Sequence, residues 1–165
     1  MSLLERYDKN AVAHLQMNAP EKLNALSEAM LAALQSEFDN LSEDKSIRSV
    51  VLSGKGKAFC AGHDLKEMTA GRQAEDGGKA YFKSLFDKCA KMMISIRKMP
   101  QPVIAKVHGI ATAAGCQLVA SCDMAVAEED SRFGVNGVNI GLFCSTPMVA
   151  LSRNISRKKA FEMLT

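Results

Sequence analysis

Val103-Ile-Ala-Lys-Val-His-Gly-Ile-Ala-Thr-Ala-Ala-Gly-Cys-Gln-Leu-Val-Ala-Ser-Cys-Asp-Met-Ala-Val-Ala127 decides the fold class. Its first five residues are apolar with one lysine and read as a strand, Val103–Val107, which His108-Gly109 breaks. The small residues of Ala113–Ser121 predict a helix, and Met124–Ala127 predicts a further short strand. Upstream, Ile47–Leu52 is β-branched and short, a second strand of the same kind. Between these strands lies a helical face of Phe82, Leu85, Phe86, Cys89, Met92, Met93 and Ile96, stopped by Met99-Pro100-Gln-Pro102. Ser27 is placed to cap an earlier helix in which Met30, Leu31, Leu34, Phe38 and Leu41 recur at three- and four-residue spacing. The chain opens with a predicted hairpin, Leu3–Tyr7 and Ala11–Met17 about a turn at Asp8-Lys9-Asn10. Strands and helices alternate without a composition break, so residues 1–165 read as one α/β domain.

Composition narrows the function. The 165 residues are 47% hydrophobic and 24% charged, which is globular rather than disordered. Aromatics at 5%, with no Trp, and a net charge of +3 exclude a stacking or basic nucleic-acid platform. That charge tolerates an anionic small ligand. No apolar run reaches the length of a membrane span. The start, MSLLERYDKN, lacks secretory and transit features, so a cytoplasmic protein is expected. Cys60, Cys89, Cys116, Cys122 and Cys144 form no CxxC pair and read as reduced core thiols. No His/Asp/Glu spacing supports a metal site.

Two glycine-marked loops each join a strand to a helix: Ala58-Phe-Cys-Ala-Gly-His-Asp-Leu-Lys-Glu67 and His108-Gly-Ile-Ala-Thr-Ala-Ala-Gly-Cys-Gln117. A helix start presents unpaired N–H groups and favours negative charge, and Ala113, Ala114 and Gly115 would admit a ligand oxygen to that backbone. Taken alone, small residues at a helix start more often reflect tight packing. Other polar residues have structural readings: His14 in a strand, His108 as a hydrogen-bonding turn residue, Asp123 as an acceptor at a strand start. Gly54-Lys-Gly-Lys57 lacks P-loop spacing and reads as a turn.

Together these motifs carry a resemblance. The order F-C-A-G-x-D-L-K-E, P-x-P-V-I-A-x-V-x-G-x-A-x-A-A-G-C and C-D-x-A-x-A, preceded by Asn18-Ala-Pro-Glu-Lys-Leu-Asn-Ala-Leu26, resembles the crotonase (enoyl-CoA hydratase/isomerase) superfamily. The resemblance implies repeated ββα units forming a β-sheet spiral flanked by helices, and an acyl-CoA thioester as substrate, with coenzyme A part of that substrate and no separate cofactor. It implies a homotrimer or hexamer, with no nucleic-acid partner. It places two backbone oxyanion donors at His63 and Ala114. It places the CoA moiety along Lys22, Leu23, Ala61, Asp64, Leu65, Lys66 and Gly115, with Lys22 near phosphate. Arg157–Thr165 reads as the start of a helix, and the resemblance implies further C-terminal helices that are missing from this chain, so 1–165 reads as a truncated core.

The departures matter as much. The family's two hydratase glutamates fall at Gln117 and Gly137. A glutamine orients water but takes no proton near neutral pH, and glycine does neither, so ordinary hydration should be nearly abolished. Cys144 and Ser145, in the Gly141–Pro147 loop, are candidate substitutes. A non-catalytic acyl-CoA-binding or assembly subunit, or another enolate reaction such as thioester hydrolysis or decarboxylation, is the alternative to a hydratase/isomerase-like enzyme.

Overall fold

The computed structural model describes residues 2–165, apart from the side chains of Asn136 and Ile140. A five-stranded sheet forms one layer: β1 (Leu4–Lys9), β2 (Val12–Met17), β3 (Ser49–Gly54), β4 (Val103–Val107) and β6 (Met124–Ala127), in that spatial order. The β1–β2 pair is antiparallel and every later neighbour is parallel. A second, two-stranded parallel sheet joins β5 (Ile110–Thr112) to β7 (Arg132–Gly134). The helices are α1 (Glu28–Glu43), α2 (Leu65–Gly71), α3 (Lys79–Lys98), α4 (Ala114–Ser121), α5 (Ser145–Asn154) and α6 (Arg157–Leu164). Parallel neighbours need crossovers, and the helices supply them.

The β1–β2 hairpin turns on Asn10 and Ala11, both at positive φ (52° and 60°), as a two-residue primed turn between the paired residues Lys9 and Val12. The expected turn at Asp8–Asn10 is therefore displaced toward Ala11, because Asp8 is already paired with Ala13. In β2 the inward residues Ala13, Leu15 and Met17 are fully buried and alternate with half-buried ones, the period-2 pattern of a strand with one face on the core. The strand expected at Ile47–Leu52 forms two residues later, as β3, where Val50 and Leu52 are fully buried.

Ser27 caps α1 by accepting the Met30 N–H (3.2 Å), and Met30, Leu31, Leu34, Phe38 and Leu41 are its buried face. The α3 helix buries Leu85, Cys89, Met92, Met93 and Ile96, with Arg97 and Lys98 in its last turn, where cations meet the negative end of the dipole. One continuous apolar core runs from Leu4 to Cys122 between the sheet and these helices. A second, smaller cluster of Cys116, Val135, Cys144, Leu151 and Leu164 joins α4 to α5 and α6. Both short strands of the second sheet, and the helix α5 that replaces the expected Gly141–Pro147 loop from Ser145 onward, escaped the sequence reading. At three residues a strand shows no periodicity, and Pro147 reads as a breaker although it is tolerated in a first helical turn.

Candidate functional site

The two glycine-marked loops meet. Leu26 donates its N–H to the Gly62 oxygen (2.7 Å), Ala61 donates to the Leu23 oxygen (3.0 Å), and Cys60 exchanges bonds with Ile110 and Thr112 (3.1 and 3.0 Å). The segments 23–26, 60–63 and 110–112 are thus stitched side by side. Asn24, at φ 51° and fully buried, is the clasp of this region. Its Oδ1 accepts the Ala19 N–H (2.9 Å), and its Nδ2 donates to the oxygens of Lys55 (2.9 Å) and Ala58 (2.8 Å). Sequence reasoning assigned Asn24 no role. The available signal was an asparagine in a breaker-rich segment, the residue type that tolerates the left-handed region.

Gly62 has φ +92°, and a Cβ there would lie 3.1 Å from Ala113 Cβ and 3.3 Å from the Ala114 nitrogen. Only a glycine allows this conformation and this approach together. Residue 63 follows directly, so the His63 and Ala114 amides come from two loops in contact. Neither N–H donates to a backbone oxygen among the described residues. Ala114 opens α4, where such donors are expected to be unpaired. Ala113, just before it, is held at φ 50°, ψ −121° with its N–H on the Gly134 oxygen (2.8 Å). An L-residue in that region stores on the order of 1–3 kcal/mol, and such strain collects at functional sites. Gly115, next in α4, lies directly against the Cys60 backbone.

The residues expected along the CoA moiety lie at this place too. Asp64 caps α2, its Oδ1 accepting the N–H of Lys66 (2.9 Å) and of Glu67 (3.4 Å), and Lys22 Nζ stands 3.5 Å from Oδ2. Burial opposes the Asp64 charge, but those N–H groups and the Lys22 ammonium outweigh it and hold the carboxyl below its usual range. The Asp64→Ala variant should therefore lose about 1 kcal/mol at pH 7. Because the folded pKa is depressed, that contribution is complete above the unfolded carboxylate value of about 4 and vanishes as pH falls through the folded value. Urea unfolding of parent and variant at pH 7 and below pH 4 checks it; an undiminished gap in acid contradicts it.

Leu65 is a large apolar side chain left 64% exposed at the start of α2, and Lys66 beside it is exposed. The His63 imidazole sits edge-on to Phe86 (centroids 5.7 Å, 71°), with Nδ1 buried and unpartnered. Burial pushes its pKa down against the opposing pulls of the Leu26 backbone and Glu67.

The positions expected to carry carboxylates are arranged unequally. Gln117 is one turn into α4 and 9% exposed, with Oε1 buried and without a partner. Gly137 is closed in: a Cβ there would lie 2.5 Å from the Leu142 oxygen and 2.7 Å from Cys144 Sγ. Ser145 is exposed at the first turn of α5, and Cys144 is buried. All five cysteines are free and buried, and burial raises the pKa of Cys60 and Cys122 to about 12 and of Cys89 and Cys116 to about 11. His14 stacks on Tyr7 (4.5 Å), His108 Nε2 lies 2.8 Å from the Gly56 oxygen, and Asp123 Oδ2 accepts the Val103 N–H (2.8 Å). These three have the structural roles expected. Among the described residues no cluster suited to a metal ion occurs, and no helix is long and apolar enough to cross a membrane.

The family model described as enoyl-CoA hydratase/isomerase matches residues 7–165. The chain belongs to the enoyl-CoA hydratase/isomerase family, the crotonase superfamily. A crystal structure of an enoyl-CoA hydratase from Mycobacterium smegmatis superposes with a TM-score of 0.93 at 59% identity, covering 99% of this chain and 62% of that one. The crystal structure of human enoyl-CoA hydratase domain-containing protein 3 gives 0.90 at 46%, covering 98% and 62%. The human protein, named mitochondrial, is 48% identical over 155 residues, 94% of this chain and 50% of its own length. The chain spans about half the length of the curated relatives it matches. The cytoplasmic expectation is overturned by these relatives, which are named mitochondrial. An uninformative N-terminus was a poor guide to compartment.

Proposed function

We propose that the protein binds an acyl-CoA thioester and polarises its carbonyl between the N–H groups of His63 and Ala114. The observation that carries this reading is the contact of the two loops at Gly62, which brings two undonated amides together at the start of α4. Such donors, fixed in advance, stabilise the charge that develops when a thioester becomes an enolate. Lys22, at the rim beside Asp64, supplies a cation for a CoA phosphate, and exposed Leu65 and Lys66 offer apolar and charged contacts to the remainder of that moiety. The Ala61 N–H on the Leu23 oxygen holds these two segments together, and Gly115 lets the helix start approach.

The chemistry beyond polarisation is weak in this reading. Gln117 can hold a water or a substrate group through its free Oε1 but is no base at neutral pH, and Gly137 offers no side chain. Lyase or isomerase chemistry through the enolate remains the family's repertoire, and hydration is its least supported member here. Titration calorimetry of the full-length protein with crotonyl-CoA, and with the thioether analogue that lacks the carbonyl oxygen, tests the proposal. The thioester is expected to bind more tightly than the thioether, with hydration on the order of 10²-fold or more below that of a glutamate-bearing relative. No binding of the thioester at millimolar concentration overturns it.

A further inference from the structure

A cavity of about 530 Å³ lies among α3, α4 and α5, within the size range of small-ligand sites. Gln117 lines it from α4. Gln117 is three residues beyond Ala114, about 4.5 Å along the helix axis, so the cavity begins one turn from the amide that would hold a thioester carbonyl. Its walls combine apolar Met93 and Ile94 from α3 and Val149 from α5 with polar Ser121, Thr146 and Asn154. Arg97, in the last turn of α3, and Arg153, in the last turn of α5, both line it.

Neither arginine has an ion-pair partner among the described residues. Asp123 is the acidic residue in the same lining, and its Oδ2 is engaged by the Val103 N–H at 2.8 Å. A mixed lining that carries two unpaired guanidinium groups does not suit a plain alkyl tail alone. It suits a chain with an anion at its end, since guanidinium groups hold carboxylates through charge-assisted, bidentate bonds.

We infer that the acyl group this site prefers carries a terminal carboxylate, which Arg97 and Arg153 hold while the thioester lies at His63 and Ala114. The inference rests on the thioester reading above and adds a substrate class to it: an ω-carboxyacyl-CoA.

Calorimetric titration of the full-length protein with adipyl-CoA and with hexanoyl-CoA, equal in chain length, tests it. Adipyl-CoA is expected to bind about tenfold or more tightly, a preference that shrinks in high salt. In Arg97→Gln and Arg153→Gln each, with hexanoyl-CoA as the reference ligand, the ratio should fall toward one. Both arginines are exposed, so the variants should fold, and their thermal midpoints are measured alongside. Equal affinity of the parent for the two thioesters overturns the inference and leaves thioester binding standing. A preference that survives in the double arginine variant also overturns it. Failure of both thioesters to bind overturns the thioester reading and this inference with it.

Discussion

Gly115→Ala is expected to cost about 2–3 kcal/mol and to abolish thioester binding, because its one added carbon falls on backbone. An ideal Cβ at residue 115 overlaps the Cys60 oxygen and lies 2.8 Å from the Cys60 carbonyl carbon and 2.9 Å from its Cβ. Cys60 cannot step aside cheaply. Its oxygen accepts the Thr112 N–H and its own N–H is bound to Ile110, so displacement breaks the bridge between the two loops. The alternative is for α4 to lift away, which separates Ala114 from Gly62 and parts the two amides. For a chain of this size the loss corresponds to a fall of roughly 5–10 °C in thermal midpoint. Chemical denaturation together with titration against a CoA thioester measures both effects. A variant with parental stability and parental affinity would show that the helix start and the Cys60 loop are not packed as described.

What the sequence made legible is a matter of which physical signals are local. The α1 face follows from apolar residues at helical spacing and from Ser27 as its cap, and the α3 face from spacing alone, with Phe86, expected on that face, instead 40% exposed. Strand β4 and helix α4 are legible for the same reason. The contact between loops 60–63 and 110–114 is a different matter. It depends on Gly62 and Gly115 approaching backbone that lies about 50 residues away in sequence, and nothing in either segment alone announces it. Only the joint occurrence of the motifs, as a resemblance, put His63 and Ala114 in one site. Asn24 shows the converse limit. Its three hydrogen bonds reach the backbone of Ala19, Lys55 and Ala58, two of them more than 30 residues distant, so its importance is a property of the fold. The cavity with Arg97 and Arg153 was equally hidden, since helix-end arginines read as solvated charge until α3 and α5 are seen on either side of α4.

Restoring the two carboxylates separates a site that lacks only its acid–base pair from one reshaped around their loss. On sequence grounds alone, Gln117→Glu with Gly137→Glu should raise crotonyl-CoA hydration by about 10²-fold or more, as a unit rather than additively. The structure changes the expected result for one half of the pair. Gln117→Glu is nearly isosteric and should fold with little loss, although its carboxylate would be buried where no cation is bonded to it and so would have a raised pKa. Gly137→Glu is obstructed, and by packing rather than by conformation, because Gly137 is not among the glycines at positive φ. Its Cβ would meet the Leu142 oxygen at 2.5 Å and Cys144 Sγ at 2.7 Å. The sulfur can be removed with Cys144→Ala, but the carbonyl belongs to the backbone, and Leu142 donates its own N–H to the Gly137 oxygen at 2.9 Å. The loop must therefore open for a side chain to enter. Gly137→Glu should lose about 2–3 kcal/mol, part of it recovered in the Cys144→Ala background. The double carboxylate variant should consequently bind thioester less well than the parent and gain far less than 10²-fold in hydration. Rates and urea midpoints for the parent, the two single variants and the double variant, with midpoints for Cys144→Ala with and without Gly137→Glu, check this. A Gly137→Glu variant as stable as the parent, and a double variant that hydrates 10²-fold faster, would show that the loop accommodates a carboxylate and that this site lacks nothing else.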